Sequence, residues 1–387
     1  MNGGENVMNH IYLDNAATTQ INPQVAEDML QYEKEGRGNP NRGLHFFAER
    51  ATTLLEAART RVSSFIGGNF DELIFTKSTT ESLNLAIFNL TRGLAAGDEV
   101  VYTIFDHHAT LLPLLERSKE QGFALKVIPI TEEGELDMQR GRALVNEKTK
   151  LVVFPHVSNV TGLILPAKEL TELAKSVGAL VLIDGAQAVG HMPVNVKEIG
   201  CDAYAFGAHK MYGPMGIGAL YVEKGELEHW KPLIYGGGMI EEVESRESKV
   251  ESVKYLSGPR LFEAGTPNVT GAFGFAGACN YVEMIGRKKI MEQEKELSSL
   301  LIDGLSKMKK VKVFPSSGSI VSFAVDGMHP HDVSQYLSDK GIAVRAGHHC
   351  AAPLSKLLDP AGTVRVSFGA TSTQEDVTTL LEALKTL

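Results

Sequence analysis

The stretch ALVLIDGAQ, residues 179–187, decides the fold because it is an apolar run that stops at an acidic residue. Such an unbroken run is typical of a strand in a parallel sheet that helices cover on both faces. Sheets of this kind bind ligands beyond the carboxyl ends of their strands, which is where Asp184 falls. Asp184 taken alone is equally typical of a helix cap, so the rest of the chain has to decide between the two roles.

Similar apolar runs recur along the chain, and amphipathic segments such as 46–66 and 167–178 separate several of them. The other predicted strands are ELIFT (72–76), DEVVYT (98–103), LKVIPI (125–130), KLVVFPHVS (150–158), DAYAFGAHK (202–210) and GIGALYV (216–222). Strands and helices in alternation predict βαβ units. We therefore predict an α/β fold with a mainly parallel seven-stranded sheet.

The pattern changes after about residue 275. A helical stretch at 281–308 precedes shorter segments, which are SIVSFAVD (319–326), HDVSQYLSDKG (331–341), IAVRAG (342–347), TVRVSFG (363–369) and a final helix from about Gln374. This mixture is typical of a smaller α+β domain. We predict a large domain over residues 15–275 and a small C-terminal domain over 276–387, with residues 1–14 packing near the small domain.

Composition argues against several classes of protein. The 387 residues carry a net charge of −9 without a basic run, which disfavours nucleic acid as a partner. The sequence contains no apolar stretch of about 18 residues or more, so it predicts no membrane-spanning helix. The three cysteines, Cys201, Cys279 and Cys350, form no CxxC pair, and residues 1–10 lack the features of a signal peptide. We therefore expect a cytoplasmic protein without disulfides.

Polar side chains follow the ends of several predicted strands. They are Thr79 and Thr80, His107, Asn159, Asp184 and Gln187, and His209 and Lys210. Each has an ordinary explanation when taken singly, as a helix cap, a loop histidine or a solvated lysine. Together they match one cofactor, because a hydroxyl-rich helix start binds phosphate, a lysine forms a Schiff base and a carboxylate pairs with a ring nitrogen. The set predicts a site for pyridoxal 5'-phosphate (PLP).

The segment RAGHHCAAP, residues 345–353, places one of the three cysteines among residues that can carry positive charge. Arg345, His348 and His349 favour a thiolate at Cys350, and a thiolate indicates a nucleophile. A zinc site built on HHC is disfavoured because the chain has no second cysteine cluster, so we expect no metal.

Seven motifs, taken in order and with their spacings, resemble the cysteine desulfurases. They are YLDNAATT (12–19), STTESLN (78–84), HVSNVTG (156–162), DGAQA (184–188), HKMYGPMGIGALY (209–221), FEAGTPN (262–268) and RAGHHCAAP (345–353). Cysteine desulfurases belong to the class V aminotransferase group of fold-type I PLP enzymes. The short, arginine-led cysteine segment resembles group II, the SufS-type and selenocysteine-lyase-like branch. The resemblance covers nearly the whole chain.

The resemblance implies a role for each site residue. For the cofactor, it makes Lys210 the Schiff-base lysine, pairs Asp184 with the ring nitrogen, stacks His107 on the ring, and places Gln187 and Asn159 near the ring hydroxyl. It places Thr79, Thr80 and His209 at the phosphate, and Thr266 at the phosphate of a neighbouring subunit. It also implies that Arg365, with Arg345 and Asn15 nearby, binds the substrate carboxylate.

The implied reaction converts L-cysteine to L-alanine. Lys210 removes the Cα proton, His107 shuttles a proton, and Cys350 takes the sulfur as a persulfide. The implied partners are a second copy of the chain and a sulfur acceptor or scaffold protein of iron–sulfur assembly. Selenocysteine lyase, aminotransferase and kynureninase relatives remain open, L-selenocysteine being the alternative substrate. A scaffold without activity is disfavoured by intact Lys210, Asp184 and Cys350.

Two positions depart from the family pattern. The family commonly has a hydroxyl residue three positions before the lysine, where this chain has Gly207. We expect the phosphate site to be one ligand short, and Gly207→Ser to tighten PLP binding unless Gly207 needs a positive φ. The second departure is Asn41, where relatives often have histidine.

Overall fold

The computed structural model describes residues 10–246 and 249–387. The strands are β1 (Ile11–Tyr12), β2 (Leu73–Thr76), β3 (Glu99–Thr103), β4 (Ala124–Ile128), β5 (Thr149–Pro155), β6 (Leu180–Asp184), β7 (Ala203–Gly207), β8 (Gly218–Val222), β9 (Ile240–Arg246), β10 (Lys249–Tyr255), β11 (Val311–Val313), β12 (Ile320–Val325), β13 (Ile342–Ala343), β14 (Arg345–Gly347) and β15 (Thr363–Ser367).

The helices are α1 (Pro23–Lys34), α2 (Phe46–Phe65), α3 (Thr79–Leu90), α4 (His108–Gln121), α5 (Met138–Leu144), α6 (Ala167–Lys175), α7 (Val196–Ile199), α8 (Lys224–Leu227), α9 (Val269–Ile285), α10 (Arg287–Leu305), α11 (Pro330–Asp339), α12 (Ala352–Leu358) and α13 (Gln374–Lys385). Among the residues described, no helix is long and apolar enough to cross a membrane.

The predicted seven-stranded sheet is confirmed, with the strand order β2-β8-β7-β6-β5-β3-β4. Neighbouring strands in the part β7-β6-β5-β3-β4 of the sheet are parallel, whereas β8 is antiparallel to both β7 and β2. Because β2 and β7 both oppose β8, they run in the same direction. The carboxyl ends of β2, β3, β5, β6 and β7 therefore meet at one edge of the sheet.

The apolar run of β6 is buried because helices cover both faces of this sheet. Val181 and Ile183 join one core cluster with Val62 of α2, while Leu182 joins a second cluster with Leu83 of α3. Successive side chains of a strand point to opposite faces, so a strand covered on both sides has no polar alternation.

A second, antiparallel sheet has the order β11-β12-β15-β14, and its apolar face packs on α10, α11 and α13. The short strand β1 pairs in parallel with β13, and Asp14 forms an isolated bridge with Ser367. Residues 1–9 of the predicted N-terminal segment lie outside the described residues.

The helical stretch predicted at 281–308 is two helices. Gly286, with φ of +95°, lies between α9 and α10 in a conformation that L side chains rarely adopt. The division into residues 15–275 and 276–387 stays a prediction, and α9 runs without a break across residue 275.

Candidate active site

The sheet edge where the five strands end borders a cavity of about 240 Å³. Residues that follow β2, β3, β5, β6 and β7 meet there with two arginines from β14 and β15. The predicted site residues that line the cavity are Thr79, Thr80, His107, Asn159, Asp184, Gln187, His209, Lys210, Arg345 and Arg365. The strand-end pattern in the sequence thus corresponds to one place in the fold.

The start of α3 forms one end of the cavity. Ser78 caps the helix, since its hydroxyl accepts from Glu81 N at 3.2 Å, and Thr79 Oγ1 is buried without a hydrogen-bond partner. The neighbouring strand β8 begins at Gly218, where a Cβ would lie 2.6 Å from the carbonyl carbon of Ser78. The close approach of β8 to Ser78 therefore requires a glycine at 218. The first N–H groups of α3 and the Thr79 hydroxyl are donors suited to a phosphate.

Asp184 is buried and Lys210 is half-buried, and the two residues lie at or just after the ends of adjacent strands, β6 and β7. Burial lowers the pKa of Lys210 to about 8, although the Asp184 carboxylate acts in the opposite direction. Burial also raises the pKa of Asp184, whose carboxylate accepts from Ala186 N at 3.0 Å and is favoured in its charged form by Lys210. The lowered pKa makes Lys210 a better nucleophile near neutral pH.

The loop at 14–19 fixes the backbone that carries Lys210. The hydroxyls of Thr18 and Thr19 both donate to the carbonyl of His209, at 3.0 and 3.1 Å, and Thr19 Oγ1 accepts from Tyr212 N at 2.6 Å. Both threonines belong to the motif YLDNAATT, but no role was predicted for them. The signal was a pair of successive hydroxyl residues in the loop that follows the short strand β1.

Two amides line the middle of the cavity. Gln187 Nε2 donates to the Ala16 carbonyl at 2.8 Å, and Asn159 Nδ2 donates to the His349 carbonyl at 2.6 Å. Asn159 Oδ1 is buried and has no hydrogen-bond partner among the residues that the structure describes. This atom is an acceptor aimed at a donor that a bound group has to supply, such as a ring hydroxyl.

The histidines of the cavity are neutral. Burial, assisted by Lys210, lowers the pKa of His107 to about 3, and burial lowers the pKa of His209 to about 4. His107 Nδ1 accepts from Ala109 N at 3.0 Å at the start of α4, so the proton of the neutral ring is on Nε2. A neutral imidazole presents a flat face and one N–H donor.

These features fit PLP. Thr79 Oγ1 and Asn159 Oδ1 are buried polar atoms without partners, and they lie at positions suited to the phosphate and the ring hydroxyl. Asp184 and Lys210 suit the ring nitrogen and the aldehyde. The residues present therefore match the cofactor predicted from the sequence.

The Cys350 segment reaches the cavity through Arg345, which lines it from β14. Cys350 lines an adjoining groove of about 610 Å³, which shares Thr80, His107 and Ala109 with the cavity. Arg345 Nη2 lies 3.4 Å from Cys350 Sγ. His349 and Cys350 have φ of +50° and +57°, a left-handed conformation that costs roughly 1–2 kcal/mol per residue.

The expectation that His349 helps to charge the site is wrong. Its ring is buried, and its Nε2 lies 2.9 Å from Thr363 Oγ1. Burial and the nearby arginines lower the pKa of His349 to about 2, so the ring is neutral. The cation that contacts the thiol is Arg345.

Arg345 and Arg365 lie directly opposite each other on β14 and β15. Arg365 is buried and donates to the Asn159 carbonyl and to an Asp14 carboxylate oxygen, both at 2.8 Å. Its Nε is buried and has no hydrogen-bond partner within residues 10–246 and 249–387. Like charges in this register repel each other, so an anion between the two guanidiniums stabilises the pair.

Three predicted residues lie outside the cavity lining, namely Cys350, which lines the adjoining groove, and Asn15 and Thr266. Asn15 is buried, and its amide donates to the Ser367 carbonyl at 3.0 Å. Thr266 is exposed and lines a separate groove near Lys77 and Glu81. The roles implied for these three residues stay predictions.

Two acidic residues, Asp14 and Asp106, lie beside site residues, although no role was predicted for either. Asp14 pairs with Arg365, and Asp106 is buried next to His107, where its carboxylate accepts from Thr103 N and Thr103 Oγ1 at 2.8 Å. Burial raises the pKa of Asp106 well above its ordinary value. The signal for both was an acid directly after an apolar strand.

Comparison with known proteins gives the class. Residues 11–380 match the family described as aminotransferase class-V, and the chain belongs to this family, which depends on PLP. A probable cysteine desulfurase of Halalkalibacterium halodurans is 40% identical over 379 residues, covering 97% of this chain and 92% of the relative. The cysteine desulfurase of Haloferax volcanii is 38% identical over 381 residues, with coverage of 97% and 88%.

Solved structures agree. The apo structure of the cysteine desulfurase from Thermococcus onnurineus NA1 is 39% identical with a TM-score of 0.93, and the alignment covers 97% of this chain and 94% of that one. The cysteine desulfurase CsdA (S-sulfonic acid) from Escherichia coli is 32% identical with a TM-score of 0.90 and the same coverage. The resemblance to cysteine desulfurases is confirmed, and the placement in group II stays a prediction.

Proposed function

We propose that the protein is a cysteine desulfurase that converts L-cysteine to L-alanine and takes the sulfur onto Cys350 as a persulfide. One observation carries the proposal. Arg345 contacts Cys350 Sγ at 3.4 Å and faces Arg365 across the β14–β15 pair, at the rim of the cavity that holds Lys210. A site suited to an amino-acid carboxylate thus lies next to a sulfur nucleophile.

The arginine pair accounts for substrate binding. Asp14 offsets the charge of Arg365 and leaves the charge of Arg345 for an anion. Arg365 Nε, buried and without a partner, supplies a further donor. Guanidinium groups bind carboxylates through pairs of N–H donors, so the substrate carboxylate fits between the two arginines. Because Arg345 also contacts Cys350 Sγ, a carboxylate bound by this pair would lie near the thiol.

Lys210 and Asp184 account for the proton transfer. When bound, PLP supplies an electron sink for a carbanion at the substrate Cα. Lys210 Nζ takes the Cα proton as a general base, a role suited to its pKa of about 8. Asp184, held by Ala186 N, keeps a negative charge facing the position of the ring nitrogen.

The sulfur transfer balances without an external oxidant. Cys350 Sγ attacks the substrate sulfur, the new S–S bond forms, and the bond between that sulfur and the substrate Cβ breaks. The electron pair of the broken bond stays with Cβ, which gains a proton and becomes the methyl group of alanine. The Cys350 sulfur and the substrate sulfur are each oxidised by one electron to the persulfide level, and Cβ is reduced by two electrons, so the step balances.

We also propose that the enzyme is a cytoplasmic homodimer that passes its persulfide to an acceptor protein of iron–sulfur assembly. Because Thr266 is exposed, it is available for a phosphate contact in a second copy of the chain. Exposed apolar residues such as Leu44, Phe46 and Val250 are consistent with a surface that the second copy covers. Free cysteines support a reducing compartment. The groove that Cys350 lines offers the acceptor access to the persulfide.

The test measures sulfide and alanine together from holoprotein and L-cysteine, with Cys350→Ser as the matched variant. We expect equal amounts of both products from wild type in the presence of a reductant, and a loss of both in Cys350→Ser with PLP content unchanged. Undiminished alanine in Cys350→Ser would show that Cys350 is not the acceptor. A parallel assay with L-selenocysteine distinguishes a desulfurase from a selenocysteine lyase.

A further inference from the structure

The helix that follows Cys350 begins without a capping side chain of its own. Its N-cap is Ala351, whose side chain cannot accept a hydrogen bond, and Pro353 in the first turn has no N–H. Because the first N–H groups of a helix have no partner within it, the Ala352 N–H needs an acceptor from another part of the chain. His108 supplies it, because its Nε2 accepts from Ala352 N at 3.1 Å.

His108 holds the other side of the same turn through its backbone. His108 N donates to the Cys350 carbonyl at 2.8 Å, so one residue contacts the chain at both 350 and 352. The turn contains two successive left-handed residues, His349 and Cys350. Such conformations persist only where surrounding contacts impose them.

We propose that His108 is a positioning residue that caps α12 and holds the turn carrying the Cys350 thiol at the mouth of the cavity. This inference rests on the role of Cys350 proposed above. It also explains the pair of histidines at the start of α4, since His107 lines the cofactor cavity and His108 holds the thiol segment. One helix thereby fixes the spacing between the two.

The tautomer of His108 follows from this contact. Because Nε2 accepts from Ala352 N, the ring proton is on Nδ1. Burial and the nearby His348 lower the pKa of His108, which keeps Nε2 free to accept at neutral pH. The contact therefore has a defined chemical requirement, which is an acceptor at the position of Nε2.

Three substitutions test that requirement in the holoprotein. His108→Ala removes the acceptor, His108→Asn carries a polar atom only as far as Nδ1, and His108→Gln reaches the position of Nε2. All three keep the backbone bond from residue 108. Hydrogen exchange of residues 350–355 reports on the turn, the PLP absorbance on the cavity, and mass spectrometry on persulfide formation.

We expect exchange at Ala352 to rise about five- to tenfold in His108→Ala and His108→Asn, as for the loss of one backbone hydrogen bond. Persulfide formation should slow by a similar factor, His108→Gln should restore both to within about twofold, and the PLP absorbance should stay the same. Unchanged exchange in His108→Ala would overturn the capping role. Faster exchange with an unchanged persulfide rate would overturn its link to the thiol, whereas Cys350→Ser separately tests whether Cys350 accepts sulfur.

Discussion

Gly207 and Thr79 compete for one space at the phosphate end of the cavity. Gly207 has φ of −145°, an extended conformation open to any residue, so its backbone does not require a glycine. A Cβ built on Gly207 lies 2.8 Å from Thr79 Oγ1, closer than carbon and oxygen ordinarily approach. The glycine makes room for the Thr79 hydroxyl, so adding a side chain at 207 should displace the hydroxyl that we predict to bind the phosphate.

The magnitude follows from the atom that is lost. Thr79→Ala removes the hydroxyl and Gly207→Ala displaces it, and a hydrogen bond to a charged group contributes about 1.5–3 kcal/mol. We therefore expect each variant to raise the Kd for PLP roughly 10- to 150-fold. Gly207→Ser has the same contact with Thr79 Oγ1, so its own hydroxyl offsets only part of the loss.

The exchanged variant Thr79→Ala/Gly207→Ser should recover binding. Its serine Cβ no longer meets a hydroxyl at position 79. The serine hydroxyl, at the end of β7, then makes the phosphate contact in place of the threonine hydroxyl at the start of α3. We expect a Kd within about threefold of wild type, which means strong coupling between the two positions.

The assay titrates apoprotein with PLP and follows the absorbance of the lysine-bound cofactor in wild type, the single variants and the double variant. Thermal unfolding of each apoprotein serves as the control for folding. Simple addition of the two single losses in the double variant would refute the reasoning, because additive effects mean that residues 79 and 207 share no space.

The remaining predictions concern charge and packing. Apoprotein should capture PLP faster as pH rises from about 7 through 8 and level off above about pH 9, because only neutral Lys210 attacks and its pKa is about 8; stopped-flow mixing gives the rate, and a rise that continues beyond about pH 10 contradicts the lowered pKa. Gly185→Ala should lower the free energy of unfolding by about 3 kcal/mol, because its Cβ would lie 1.9 Å from the Tyr204 ring; an unchanged urea midpoint contradicts this. Asp14→Asn should cost about 3 kcal/mol in the same assay by leaving the Arg365 charge buried and unpaired, and a loss below about 1 kcal/mol would show that water screens the pair.

The large sheet and the residues at its edge could be predicted because both depend on local pattern. The run that forms β6 is apolar at every position up to Asp184, and its length and neighbours indicate a buried parallel strand. Parallel strands bring their carboxyl ends to one edge, so Asp184, Asn159 and Lys210 meet without any further information.

Contacts set by register between distant segments could not be predicted in this way. Arg345 faces Arg365 because β14 and β15 pair at those residues, and Asp14 reaches Arg365 across 351 positions of the chain. The expectation that the phosphate site is one ligand short at Gly207 stays a prediction, but the contact that decides the effect of Gly207→Ser is again one between distant segments. A sequence shows that the hydroxyl is absent, but not that Thr79 Oγ1 uses the space left beside Gly207.

Residue type alone does not show which titratable groups in and near the cavity are charged and which are neutral. Burial makes His107, His209 and His349 neutral, with pKa values of about 3, 4 and 2. Their imidazoles therefore act as hydrogen-bonding and stacking groups, and the positive charge near Cys350 belongs to arginine. Because these three histidines do not titrate between about pH 6 and 9, a change in PLP capture over that range reports the amine of Lys210.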